Sequence, residues 1–172
     1  PITLNRVSSA ARCVPHTEGE AAMADNSVSE ANKALVRRNF EVIWSQGNLA
    51  VADEILAPDY IGHIATLPEP VHGVEAFKQL IAMYHFSFPD TRFEIQDQIA
   101  EGDKVASRWI ARGTHRGEFM GIAPSGQAMS VTGMSFHRIE NGRIAESWDD
   151  WDALSMLQGM TEDVFQSLSF RI

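Results

Sequence analysis

At Pro89 the hydrophobic period of this chain changes from 3.6 residues to 2, and that switch constrains its fold more than any other feature. Ahead of the switch, Val36, Phe40, Ile43 and Trp44 stand at i, i+4, i+7 and i+8, behind the capping box Ser27-Val28-Ser29-Glu30 and ahead of a stop at Gly47. A short second helix is expected over about Leu49 to Leu56, ending before Pro58, followed by an extended piece from Asp59 to Ile64. Phe77, Leu80, Ile81 and Tyr84 then mark a helix from about Val74 to Ser87, closed by Pro89. After the switch, Phe93, Ile95 and Ile99 mark one strand, and Val105 to Thr114 alternates after a turn at Glu101-Gly102-Asp103. Met129 to Glu140 and Arg143 to Trp151 form a hairpin across Asn141-Gly142, and a last helical turn runs from Ala153 to Met160. Helices first and hairpins after, without βαβ alternation, predict an α+β domain with an antiparallel sheet. Long twisted strands curl, so a cavity is expected between the sheet and the helices packed on one of its faces.

The remaining sequence narrows the function classes. A length of 172 residues fits one domain, and 44% hydrophobic with 22% charged residues is an ordinary globular balance. The net charge of -9, with Arg37-Arg38 the longest basic run, argues against nucleic acid as a partner. No apolar run is long enough for a membrane span, so no membrane partner is expected. Cys13 is the sole cysteine, which excludes an internal disulfide and any cysteine-based metal site. His63, His85, His115 and His137 lack metal-ligand spacing, so no metal is expected. The expectation is a soluble, cytoplasmic protein. Residues 1–26 carry Val14-Pro15 and Thr17-Glu18-Gly19-Glu20 and show neither period, which predicts a poorly ordered or loosely docked arm. Met23 offers an alternative start, while Arg6 and Arg12 faintly resemble a transit peptide.

Several stretches in a fixed order carry a family resemblance. They are Phe88-Pro89-Asp90-Thr91-Arg92-Phe93, Arg108-Trp109, Gly113-Thr114-His115-Arg116-Gly117-Glu118-Phe119 and Gly121-Ile122-Ala123-Pro124-Ser125-Gly126. The last is Arg138-Ile139-Glu140-Asn141-Gly142-Arg143-Ile144-Ala145-Glu146-Ser147-Trp148-Asp149. Together with Asp59-Tyr60-Ile61-Gly62-His63 they resemble the SnoaL-like polyketide cyclases, or ester cyclases, of the nuclear-transport-factor-two-like superfamily, over roughly residues 31–160. The resemblance implies a cone-shaped curved sheet enclosing a hydrophobic pocket, in a homodimer or higher homo-oligomer. It divides the chain into the arm 1–26, the domain 27–160 and a C-terminal tail 161–172. It also implies an intramolecular aldol closure of an aromatic polyketide, without metal or organic cofactor. A fold does not fix an activity, and isomerases, hydrolases and dehydratases share this one.

On that resemblance Asp149 matches the carboxylate that serves as general acid/base. A single carboxyl group in an apolar pocket can remove a proton next to a carbonyl and return one to the forming alkoxide, since burial disfavours the anion. Trp148 and Trp151 flank Asp149, and period 2 puts Ala145, Ser147, Asp149 and Trp151 on one face. The bland alternative is a loop or cap carboxylate, though Asp152 is the better cap by position. Fourteen residues earlier, where the cyclases carry a histidine that holds the oxyanion, this chain has Ser135. A type I turn with a G1 bulge at Asn141-Gly142 would set Asp149 opposite Gly133 with Ser135 beside it, and a type I′ turn would set it opposite Met134. The first is the expected register. His63 is a second candidate for proton transfer, or else a rim histidine. His85 either enters the cavity mouth or is solvated, and Arg108 either holds an anionic substrate group or makes a salt bridge. His115 is expected in a solvated loop. Phe40, Trp44, Tyr60, Trp109 and Trp151 are expected as core residues that also contact substrate, with Met120, Met129 and Met134 as a pliable wall. The expected activity is a cofactor-independent cyclase, isomerase or hydratase acting on a hydrophobic carbonyl-bearing small molecule. The alternative is a non-catalytic ligand-binding or dimerisation module.

Overall fold

The computed structural model describes residues 17–161, with side chains from Asn26 onward. Readings that concern residues 1–16 and 162–172 lie outside these. The first helix, α1, spans Thr17–Arg38 and so begins ahead of the expected capping box, which lies inside it. The reason is local: Glu18 to Ala24 is rich in Glu, Ala and Met, residues with high helix propensity, and this outweighs the lone Gly19. Residues 17–26 are therefore helical rather than an irregular arm.

The helix continues into a π-helical turn over Asn39–Trp44. There the Ser45 N–H and Oγ both donate to the Phe40 carbonyl, and Ser45 Oγ accepts from Phe93 N–H. This wider turn changes the aim of Phe40 and Trp44, and the buried Ser45 ties the helix end to the sheet. Gly47, at φ +68°, ends the segment in a left-handed conformation that costs glycine little. A 3-10 turn, Leu49–Val51, leads into the one-turn helix α2, Ala52–Ile55. Helix α3 spans Gly73–Ser87, and α4 spans Ala153–Met160 with Asp152 as its side-chain cap.

Six strands form one curved sheet: β1 Leu56–Ile64, β2 Val71–His72, β3 Arg92–Glu101, β4 Lys104–Thr114, β5 Ala128–Glu140 and β6 Arg143–Trp151. Their order is β2-β1-β6-β5-β4-β3. The α+β reading stands, with the helices packed on one face. The sheet is antiparallel except that β1 runs parallel to β6, a long-range pairing with no local sequence signal. Strand β5 alternates almost perfectly, turning Met129, Val131, Gly133, Ser135, His137 and Ile139 inward. The main core joins Val36, Phe40 and Ile43 of the first helical segment to Phe77 and Ile81 of α3 and to Val105, Trp109 and Ile144 of the sheet.

Two bulges change the simple alternation. In β3 the register with β4 shifts between Ile95 and Asp97, so Phe93 and Ile95 face the core but Ile99 lies exposed on the outer face. In β6 the shift falls at Ala145, leaving Ile144 and Ala145 both buried in sequence. The hairpin turn has positive φ at both Asn141 and Gly142, the type I′ geometry. The bulge beyond it moves Asp149 opposite Ser135. Both registers considered from the sequence are thereby corrected, because the extra residue sits in the strand rather than in the turn.

Candidate functional site

Strand pairing brings the polar residues of this region together. Ser135 on β5 faces Asp149 on β6, and His137 faces Ser147 two pairs further along, on the same face. Ser147 and Asp149 are two apart on one strand and share its inner face. Ser135 Oγ donates to Asp149 Oδ1 at 2.5 Å, and Ser147 Oγ donates to Oδ2 at 2.7 Å. Each serine is held in turn from behind. The Trp109 indole N–H donates to Ser135 Oγ at 2.9 Å, and the Tyr60 hydroxyl, 2.7 Å from Ser147 Oγ, donates to it because the serine hydrogen goes to Asp149. Both oxygens of the carboxylate are thus held by a chain of donors that starts at two buried aromatic side chains.

One neighbour makes this arrangement possible. The Trp109 ring lies against Gly133, where an added Cβ would come within 2.3 Å of indole Cζ2. Phe40 and Phe93 also pack against the indole, at ring centroid distances of 6.1 Å and 5.0 Å. Glycine at 133 lets the indole lie close enough to the sheet to reach Ser135.

Asp149 opens onto a narrow cavity of about 80 Å³ with almost wholly apolar walls. Phe40 and Trp44 wall it from the first helical segment, Tyr84 and Phe88 from the end of α3, and Met156 from α4. Phe93, Trp109, Ala111, Met129, Val131 and Trp151 line it from the sheet. Asp149 and Arg112 are its charged residues, and Arg112 is paired with Glu94 at 2.9 Å on the exposed side. One acid in an otherwise apolar, aromatic-lined cavity is the lining pattern of a small-molecule site.

The charge of Asp149 is felt around it. Burial first, and Asp149 second, push the Tyr84 hydroxyl up to about 12, so it stays protonated at neutral pH. The same two causes raise Tyr60 further. Burial lowers the pKa of His137, against the pull of Asp149, and its Nδ1 has no hydrogen-bond partner. His137 packs edge-on against Phe40 beneath the cavity rather than lining it.

The sequence-derived candidates divide into those that meet at the cavity and those that do not. Asp149, Phe40, Trp44, Trp109 and Trp151 line it, while Tyr60 and Ser135 stand one layer behind. His63 is on the outer face, because Tyr60, Gly62 and Ile64 take the inner positions of β1. There it stacks on Trp148 with ring centroids 5.4 Å apart and lies 2.9 Å from Glu146. The His63 hydrogen bond, with help from Arg138, holds the Glu146 carboxyl below the usual range. His63 is therefore absent from the apolar cavity, but with Trp148, Asp149 and Asp150 it borders a second, more open pocket beside Leu67 and Pro68. His85 lies beside Gly47 and donates through Nε2 to the Trp44 carbonyl at 3.1 Å, which fixes the end of the π-helical turn instead of meeting a ligand. Arg108 alternates away from Trp109 and pairs with Asp97 on the outer face. His115 is buried rather than solvated, stacked on Phe88, with Nδ1 accepting from Ser125 N–H. Of Met120, Met129 and Met134 only Met129 lines the cavity, since the other two are exposed.

Sequence reasoning missed Ser147 and Tyr84 as parts of this site. Ser147 was legible, being two residues before Asp149 on the same face. Tyr84 ends a helical stripe otherwise made of core residues, and nothing local separates it from them. Among the described residues no group of three or more His, Cys, Asp or Glu side chains is arranged to hold a metal.

A curved sheet, helices on one face and an apolar cavity with one acid define an α+β cavity domain. The chain belongs to the SnoaL-like polyketide cyclase family, which it matches over residues 34–160. It is 29% identical over 112 residues to nogalonic acid methyl ester cyclase of Streptomyces nogalater, covering 63% of this chain and 83% of that one. Among solved structures it resembles IdmH, a proposed polyketide cyclase from Streptomyces antibioticus, with 30% identity and a TM-score of 0.66 over 75% of this chain and 97% of that one. A SnoaL-like protein from Jannaschia sp. CCS1 shares the fold with a TM-score of 0.73 at 24% identity, over 77% of this chain and 93% of that one.

Proposed function

We propose that the protein is a cofactor-independent cyclase-type enzyme that acts on a hydrophobic, carbonyl-bearing small molecule through Asp149 as general acid/base. The observation that carries this reading is Asp149 itself: the one acid lining an apolar cavity, with both its oxygens positioned by serines. In an intramolecular aldol closure the carboxylate takes a proton from a carbon next to a carbonyl. The resulting enolate carbon bonds to a second carbonyl carbon, and the alkoxide formed there takes the proton back. The product is an isomer of the substrate, so no oxidant, reductant or co-reactant is consumed. The apolar walls exclude water and orient the substrate, while the two serines keep the carboxylate from rotating away.

The test is turnover of nogalonic acid methyl ester and of related aromatic polyketide esters, followed by liquid chromatography. The wild-type chain should give a product of unchanged mass, and Asp149→Asn should give none while unfolding at the same denaturant concentration. Equal turnover by the two proteins would overturn the assignment.

A non-catalytic binding module has one observation in its favour. Ser135, where the cyclases carry histidine, directs its hydrogen at Asp149 and cannot also serve an oxyanion. The open cavity, and Arg108 paired with Asp97 rather than Asp149, favour the enzyme.

The outer face supports a second proposal, a homodimer formed through the sheet. Ile99, Met134, Phe136 and Trp148 are exposed together there, among the ion pairs Arg108–Asp97 and Arg138–Glu146. Apolar side chains bordered by both charge signs suit a second copy of the same surface.

A further inference from the structure

The reaction proposed above creates negative charge on an oxygen at two stages, as enolate and as alkoxide, and a site that speeds it needs a donor aimed at that charge. Ser135 is excluded by its own geometry, since its single hydrogen goes to Asp149 and its lone pair receives the Trp109 N–H. Tyr60, Tyr84 and His137 each respond to the charge of Asp149. The Tyr60 hydroxyl is committed to Ser147 and stands behind the cavity wall. His137 is buried beneath Phe40 and does not reach the cavity. Tyr84 is the one of the three that lines the cavity. Its ring is fixed edge-on by Trp44 at 5.6 Å and packed by Phe119 at 5.2 Å, so the hydroxyl is presented from a rigid platform.

We propose that Tyr84 is a catalytic residue whose hydroxyl, on the helix side of the cavity, donates a hydrogen bond to the enolate or alkoxide oxygen formed when Asp149 moves the proton. This rests on the reading of Asp149 as the acid/base. The phenol remains protonated across the neutral range, because burial and the nearby Asp149 charge oppose its ionisation and outweigh the hydrogen bond with Thr66 that favours it. It is therefore a donor whenever Asp149 is a base. Trp44 and Trp151 also line the cavity, but an indole N–H is a far weaker acid than a phenol and answers less to growing charge. Arg112 is drawn toward Glu94 at the exposed side. The division of labour would be a base on the sheet and an electrophile on α3, with the substrate between them.

The decisive variant is Tyr84→Phe, which keeps the ring and its packing and removes one oxygen. With a turned-over ester, kcat should fall about 10²- to 10³-fold with KM little changed, the usual consequence of removing one oxyanion donor. A binding experiment serves whether or not that ester is the natural substrate. Asp149→Asn imitates the protonated carboxyl and removes the charge that would repel an anion. In this background 2-naphthol, measured at a pH above its own pKa so that it is the naphtholate, should bind at least about tenfold more tightly than in Asp149→Asn/Tyr84→Phe, as expected for one hydrogen bond to a charged acceptor. Naphthalene, which has no oxygen, should bind both proteins alike. The bound naphthol fluorescence should show the naphtholate form at a lower pH when Tyr84 is present. Equal 2-naphthol affinities and equal ionisation in the two proteins, with naphthalene bound normally, would overturn the role of Tyr84 and leave Asp149 untouched. Failure of both probes to bind would overturn the cavity reading and Tyr84 with it. Undiminished turnover by Asp149→Asn would instead sink the acid/base assignment.

Discussion

Placing a methyl group at Gly133 tests whether the packing under Asp149 is as tight as described. An alanine Cβ there would lie 2.3, 2.5 and 2.8 Å from Cζ2, Cη2 and Cε2 of Trp109. Restoring an ordinary contact of 3.4 Å to the nearest atom needs a retreat of about 1.1 Å by a ring already packed against Phe40 and Phe93 in a dense core. Such a shift stretches the 2.9 Å hydrogen bond from the indole N–H to Ser135 beyond its useful range. Overpacking of this kind costs about 1–3 kcal/mol, and an orphaned buried N–H costs about 1–3 kcal/mol more. Gly133→Ala should therefore destabilise the domain by about 2–6 kcal/mol, read as a lower urea midpoint at unchanged slope. Trp109→Phe removes the clashing atoms, so the double variant should be less destabilised than the sum of the single ones. A Gly133→Ala protein within about 0.5 kcal/mol of wild type, or strictly additive single effects, would refute the packing argument.

Other consequences can be checked in solution. His137 is buried with its pKa lowered from 6.5, so the unfolded chain takes up a proton below pH 6.5 that the folded chain refuses. The stability that His137 contributes is complete above pH 6.5 and is lost as pH falls below it, at up to about 1.4 kcal/mol per pH unit. Urea titrations at pH 7.5 and 5.5 should show this loss in wild type and a smaller one in His137→Gln, and equal losses would contradict it. Phe136→Asp, which places a charge amid the exposed apolar cluster on the outer face, should convert a dimer to a monomer in sedimentation velocity. A wild type that sediments as a monomer at tens of micromolar would end the dimer proposal.

How much of this was legible depended on the range of the interactions involved. The helical stripes, the alternating strands and Asn141-Gly142 are local signals, and the elements they predict are all present. The bulges at Gln96 and Ala145 are not local in the same way. Each is stabilised by burying side chains against distant elements, and each inverts one inference: Ile99 turns outward, and Asp149 meets Ser135 rather than Gly133 or Met134. The face that His63 takes is not local either, because it depends on how β1 docks in parallel on β6. Thr17 to Asn26 was read as irregular although its Ala and Glu content favours a helix. At the site, Asp149 and its aromatic surroundings were readable from period 2. Its holding chain through Trp109 and Tyr60 was not, since those side chains come from strands 40 and 89 residues away in sequence.

The central claim is that Asp149 moves the proton in this cavity, and exchange of the substrate proton tests it most directly. Nogalonic acid methyl ester, or another ester the wild type consumes, is incubated in deuterium oxide and its carbonyl-adjacent hydrogens are followed by NMR. Wild type should exchange or cyclise the substrate at a rate far above buffer, and Asp149→Asn, folded to the same stability, should fall to the buffer rate. Exchange by Asp149→Asn at the wild-type rate would contradict the account.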